Sequence, residues 1–168
     1  MLNYKKEPGF SVVELMIAIA IIGILSAMAV PSFQKWSRSY NLSGAATDLY
    51  SHMQMAKVGA VKENRTWNIK FRPVGFLGYE VHNNAGKLVK TVDFLARYNG
   101  DILFADPTES KKYDTPLNDS RLNFNPNGLS DQGYYYISNK SRSKYYRVGM
   151  PSIAGSIRIE QWNGATWK

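Results

Sequence analysis

The sequence predicts an α+β chain: one long N-terminal helix followed by a domain of antiparallel strands. Three observations predict it. Residues Phe10 to Val30 form an apolar run broken by a single charge. Apolar residues then recur at three- and four-residue steps to about Asn64. From Thr66 onward the pattern changes to period two, punctuated by turn signals.

Composition bounds the rest. A length of 168 residues suits one ordinary domain, about 100–200 residues. Net charge is +8, from 21 Lys and Arg against 13 Asp and Glu, with a sequence pI of 9.6. Cysteine is absent, which excludes disulfides, thiolate zinc sites and a cysteine nucleophile. The two histidines, His52 and His82, lie thirty residues apart without ligand-type neighbours. No Gly-rich phosphate loop or paired-carboxylate spacing occurs, so the chain reads as a non-enzyme with no cofactor. A mean hydropathy of −0.34 excludes a polytopic membrane protein, yet the apolar residues are concentrated at one end.

The first element is FSVVELMIAIAIIGILSAMAV, 21 residues whose one charge is Glu14. As a helix it spans roughly 30 Å, the thickness of a bilayer's hydrocarbon. Before it stands MLNYKKEPG, whose Lys5 and Lys6 supply the positive flank expected on the cytoplasmic side. The chain after Ser32 then lies across the membrane. A secretory signal peptide has an apolar core of only about 7–15 residues. A plain anchor fits the length but leaves Glu14 unexplained, because a carboxylate in a bilayer costs about 2.5–3.5 kcal/mol and calls for a partner.

The second element continues the helix past Pro31, where a kink is expected because proline removes a donor and crowds the preceding turn. Phe33, Trp36, Tyr40, Leu49, Met53, Ala56 and Ala60 form its apolar stripe, interrupted at Asn41–Gly44. With the apolar half, this helix reaches about 55 residues, or about 80 Å, a length that suits a filament. TWNIKF then alternates as a strand, with Trp67, Ile69 and Phe71 on one face. Turn signals at Pro73–Gly75, Asn83–Gly86, Asn125–Gly128 and Asn163–Gly164 separate further strands. These are expected near Gly78–His82, Lys87–Val92, Ile102–Phe104, Arg121–Phe124, Gly133–Ser138, Lys144–Val148 and Ser156–Trp162. Polar Ala105–Ser120, with Pro107 and Pro116, reads as a surface loop between two small sheets.

The stretch GFSVVELMIAIAIIGILSAMAVPSF closely resembles the N-terminus of type IV pilins and of the pseudopilins of type II secretion. The resemblance implies the type IV pilin-like fold. It also implies cutting by a prepilin peptidase after Gly9, with N-methylation of the new N-terminal Phe10. The family's glutamate falls on Glu14, whose charge can pair with the ammonium of a neighbouring subunit's Phe10 and set the register of assembly. Gly23 and Pro31 match the helix-weakening positions. The implied organisation is a cleaved cytoplasmic leader over 1–9 and a transmembrane or filament-core helix over 10–31. An amphipathic helix over 32–64 and a β-rich periplasmic domain over 65–168 complete it. The implied location is the bacterial inner membrane, single-pass, with later incorporation into a filament. The implied partners are the peptidase, other major and minor pilins or pseudopilins, and membrane lipid before assembly.

A narrower resemblance lies in LYSHMQMAKVGAVKENRTWNIKF, with LNFNPNGLSDQGYYYIS and YYRVGMPSIAGSIRIE. These segments are similar to the GspH/FimT kind, the H-type minor pseudopilins and FimT/FimU-type minor pilins. Lys57 stands where arginine is commoner in that family.

Charge is unevenly shared. Residues 35–72 carry seven basic and two acidic residues, and residues 133–168 carry six basic and one. Around a hairpin tip at Asn139–Ser143, Lys140, Arg142, Lys144 and Arg147 with neighbouring tyrosines can grip a phosphate backbone and stack on bases. Some FimT-type relatives bind DNA through a basic C-terminal region, although Gly155-Ser156-Ile157-Arg158 is only part of their motif. The plainer reading is a solvated hairpin whose cations discourage edge pairing. Asp106, Glu109, Asp114 and Asp119 match no calcium-loop spacing, and no metal site is expected. Three functions stay open. One is an H-like pseudopilin that helps initiate a type II secretion filament, towards which family frequency leans. The others are a minor pilin of a surface pilus and a DNA-binding module.

Overall fold

The computed structural model describes residues 10–71, 77–108, 121–154 and 156–168. The leader Met1–Gly9, the turn at Pro73–Gly75 and most of the loop Ala105–Ser120 lie outside the described residues. The chain divides into two units, Met1–Ser37 and Arg38–Lys168, and helix α1 (Val12–Glu63) contributes to both.

In the first unit the helix is apolar on every side, and every side is exposed. Its large residues from Val12 to Val30 show 51–74% of their surface. This stretch is long and apolar enough to cross a membrane. Pro31 lies inside the helix, where it withholds one donor from the ladder. Phe33 and Trp36, expected on the buried stripe, are 66% and 62% exposed, with their rings 5.8 Å apart.

In the second unit α1 buries Leu42, Ala45, Ala46, Leu49, Met53, Ala56 and Ala60. These recur at three- and four-residue steps, so they make one stripe. Tyr40, expected on that stripe, is exposed, because a two-residue step from Leu42 turns about 200° around the helix. The interruption expected at Asn41–Gly44 is helical, and Leu42 within it is fully buried. Glycine at position 59 permits close approach, since a Cβ there would stand 2.7 Å from the Trp67 ring. The helix ends in a Schellman motif. Asn64 takes φ 50°, Asn64 N donates to Val61 O, and Arg65 N donates to Ala60 O.

Among the described residues eight strands follow, in two antiparallel four-stranded sheets. The first has the order β3-β2-β1-β5, built from β1 (Trp67–Phe71), β2 (Gly78–His82), β3 (Leu88–Asp93) and β5 (Arg121–Phe124). The second has the order β4-β6-β7-β8, built from β4 (Ile102–Phe104), β6 (Gly133–Asn139), β7 (Tyr145–Met150) and β8 (Arg158–Gln161). Trp67, Ile69 and Phe71 alternate inward, as period-two patterning requires. Rings join the sheets: Phe71 stacks on Tyr135 at 3.4 Å between centroids, and Phe104 meets Phe71 edge-on at 5.9 Å. A short helix α2 (Phe94–Tyr98) stands where no element was expected. Asp93 caps it by accepting from Leu95 N and Ala96 N, and Asn99 stops it in the left-handed region. The whole is an α+β architecture with a long N-terminal apolar helix and antiparallel sheets, consistent with a type IV pilin fold.

Candidate functional site

The first candidate lies at the start of α1. Gly9 is outside the described residues; Phe10 is 91% exposed. Ser11 and Glu14 make a reciprocal capping box: Ser11 N donates to Glu14 Oε2 at 3.3 Å, and Glu14 N donates to Ser11 Oγ at 3.2 Å. The serine–x–x–glutamate spacing is the sequence signal for this cap, a local role for Glu14 beside the intermolecular one expected of it. The cap satisfies two otherwise bare N–H groups and fixes the carboxylate at the helix entrance. Around Gly23 the space is open, with nothing beyond its chain neighbours and the helix's own backbone within 4 Å of where a Cβ would stand.

The second candidate is the β6–β7 hairpin. Lys140, Arg142 and Lys144 are brought together on its exposed tip. Arg147 is directed elsewhere. Its guanidinium lies 4.2 Å from the centroid of Tyr134 and 4.8 Å from that of Trp167, and its Nε donates to Glu160 Oε2 at 2.6 Å. Trp167 in turn lies 5.5 Å from Tyr136 and 5.2 Å from Trp162. Burial, then the nearby Asp106 carboxylate, raises the Tyr136 phenol above its ordinary value. This cluster needs β8 beside β7, a register that residue spacing alone does not reveal.

A third group connects α1, α2 and β2. Asp48 accepts from Tyr98 Oη at 2.5 Å and pairs with Arg97 at 2.8 Å. Burial first, then that bond, pushes the Tyr98 phenol up to about 12. His52 Nδ1 and Tyr79 Oη are 2.8 Å apart. Burial holds His52 below its ordinary value, against the opposing pull of Asp48. These are ties between helix and sheet. His82 contacts Glu80 at 2.9 Å and the Gly86 carbonyl at 3.2 Å. Among the described residues no three His, Asp or Glu side chains group as metal ligands. Asp106 accepts from Thr108 N and Oγ1, while Glu109, Asp114 and Asp119 lie outside the described residues.

Residues 4–30 match the family model for the prokaryotic N-terminal methylation motif. The chain is type IV pilin-like. It is 36% identical over 61 residues to a fimbrial protein of Pseudomonas aeruginosa, covering 36% of this chain and 39% of that protein. It is 35% identical over 88 residues to the type IV major pilin protein PilA of Myxococcus xanthus, covering 48% of this chain and 40% of that one. It is 46% identical over 39 residues to the type IV major pilin protein PilE1 of Neisseria gonorrhoeae, covering 23% and 24%. The pilin-like chain thus spans two fifths or less of the length of these relatives. No solved structure gives a significant match.

Proposed function

We propose that this pilin-like chain is a filament subunit whose apolar helix serves twice, first as a membrane anchor and then as part of a filament core. The observation that carries this reading is the exposed apolar surface of α1 from Val12 to Val30. A helix apolar all round needs cover all round, which lipid gives before assembly and neighbouring helices give after it. In this reading a prepilin peptidase cuts between Gly9 and Phe10, leaving N-methyl-Phe10 as the mature terminus. Glu14, already held by Ser11 at the helix entrance, pairs with the incoming or preceding subunit's terminal ammonium and fixes axial register. Gly23 and Pro31 locally loosen the helix. Residues 65–168 form the part displayed beyond the membrane, and the leader stays in the cytoplasm.

The finer reading is a minor subunit of the GspH/FimT kind that helps initiate or cap a type II secretion filament, as the segments after residue 48 suggest. A surface pilus is the second reading, and the fimbrial and pilin relatives favour it. DNA capture by Lys140, Arg142, Lys144 and Arg147 is an added role for either machine, weakened by the engagement of Arg147 with Glu160. Deletion and complementation, followed by electron microscopy of surface pili, tests the choice. Loss of pili assigns the subunit to the pilus machine. Unchanged pili with a changed exported proteome assigns it to secretion.

A further inference from the structure

The β6–β7 tip and the first helical residues of the second unit lie together. Lys144 Nζ donates to Ser39 Oγ at 2.7 Å. Lys140 N donates to the Asp101 carbonyl at 2.7 Å, and Arg38 Nε stands 3.9 Å from an Asp101 carboxylate oxygen. Arg38, Lys140, Arg142 and Lys144 therefore gather at one end of this unit, where the Asp101 carboxylate pairs with Arg38. The tip is preshaped. Asn139 Oδ1 accepts from Ser143 N and Lys144 N, its Nδ2 donates to Ser143 Oγ, and Arg142 sits at φ 52° with its N–H on the Asn139 carbonyl. The backbone that carries its exposed cations is thus held in shape.

This end is where the chain enters from its apolar run. Eight residues carry the chain from Val30 to Arg38, a reach of at most about 28 Å. With Phe10–Val30 in a bilayer, the cations are tethered near its surface, and tethering turns a weak attraction into a high local concentration. Lysine and arginine at a surface are drawn to anionic headgroups over a Debye length, about 8 Å at physiological salt. Single-stranded nucleic acid needs a stacking platform beside its cations. Here two of the rings, Tyr134 and Trp167, are occupied by the Arg147 guanidinium.

We propose that Arg38, Lys140, Arg142 and Lys144 form a collar that binds anionic lipid headgroups on the membrane face opposite the leader. The collar holds the globular unit against the bilayer while the subunit awaits assembly. It rests on the membrane-anchored reading above, and the test separates the two. The full-length chain is reconstituted into phosphatidylcholine vesicles, with or without a third of the lipid replaced by phosphatidylglycerol. Ser141→Cys gives a unique thiol in a chain without cysteine, and its fluorophore transfers energy to headgroup-labelled lipid. Transfer is expected to rise at least about twofold with phosphatidylglycerol and to fall back in high salt. K140E/R142E/K144E abolishes the rise, and Arg142→Glu alone carries the test if the triple variant unfolds.

Vesicle flotation at alkaline pH reads the anchor separately. Flotation without any phosphatidylglycerol or charge dependence at the tip overturns the collar and leaves the anchor standing. Failure to float overturns both. Short duplex DNA that strips the tip from anionic vesicles reassigns the patch to nucleic acid and also overturns the collar.

Discussion

Helix α1 is rich in apolar residues both before Pro31 and after Arg38, and the two stretches use them differently. From Val12 to Val30 the large side chains point in every direction and all are exposed. From Leu42 to Ala60 the buried residues keep to one stripe, four of its seven members alanine, and share a core with residues of both sheets, while Val58 on the other side is exposed. The contrast separates two kinds of hydrophobic demand. A stripe with small residues is satisfied inside its own chain, because alanine lets the backbone approach the sheet closely. An all-round apolar surface cannot be satisfied by one sheet and requires surroundings that lie outside the molecule.

Altering the residues of each stretch should sharpen that contrast. The largest effect is expected at Glu14. Leaving a buried charge without its partner costs about 3–5 kcal/mol, so Glu14→Leu should cut filament incorporation by about a hundredfold or more. The thermal midpoint of the globular unit should stay unchanged. Glu14→Gln keeps a capping box, which accepts glutamine at this position, yet removes the charge. If incorporation follows charge, Gln and Leu should fail alike; a functional Gln variant would make helix capping the role of this residue. Incorporation is read from sheared-filament immunoblots.

Leu49→Ala should destabilise the full chain by about 2–5 kcal/mol, seen as a lowered urea midpoint in detergent solution. At Gly149, opposite Tyr134 in the β6–β7 pair, an added Cβ would stand 2.0 Å from the Gly133 carbonyl oxygen. Gly149→Ala should therefore cost about 1–3 kcal/mol or more in the same assay. A smaller effect follows from His52. Burial lowers its folded value below the ordinary 6.5, so the unfolded chain binds the proton more readily. The stability involved is complete above about pH 6.5, falls as pH drops below it, and levels once the folded imidazole also charges. Thermal midpoints at about pH 7.5 and about pH 5 should differ more for wild type than for His52→Gln. The smallest change is Val58→Ala, on the exposed side of the same helix, expected within about 0.5 kcal/mol.

Much of this contrast was legible in the sequence. The apolar run, the strands Gly78–His82, Ile102–Phe104 and Arg121–Phe124, and the helix end near Asn64 follow from local period and turn chemistry. The position of Phe33, Trp36 and Tyr40 does not follow from their three- and four-residue spacing, because Leu42, Ala45 and Ala46 set the phase of the buried stripe and these three lie out of it. Helix α2 is five residues long, too short for a periodic signal, though Asp93 and Asn99 mark both its ends. The hairpin cations were visible as a group. What divides Arg147 from Lys140, Arg142 and Lys144 is a cross-strand partner, Glu160, and a terminal ring, Trp167. Such pairings depend on sheet register, which is settled by the whole fold and not by neighbouring residues.

The central claim is that the exposed surface of the first stretch is covered by other subunits once the chain assembles. A photo-crosslinking amino acid at Ile21, in cells that carry the assembly machinery, tests it most directly. The account predicts adducts with the apolar helix of a second pilin-like subunit in the wild-type background. In Glu14→Leu these should disappear, leaving lipid adducts alone. Lipid adducts alone in the wild type, or protein adducts indifferent to Glu14, would contradict it.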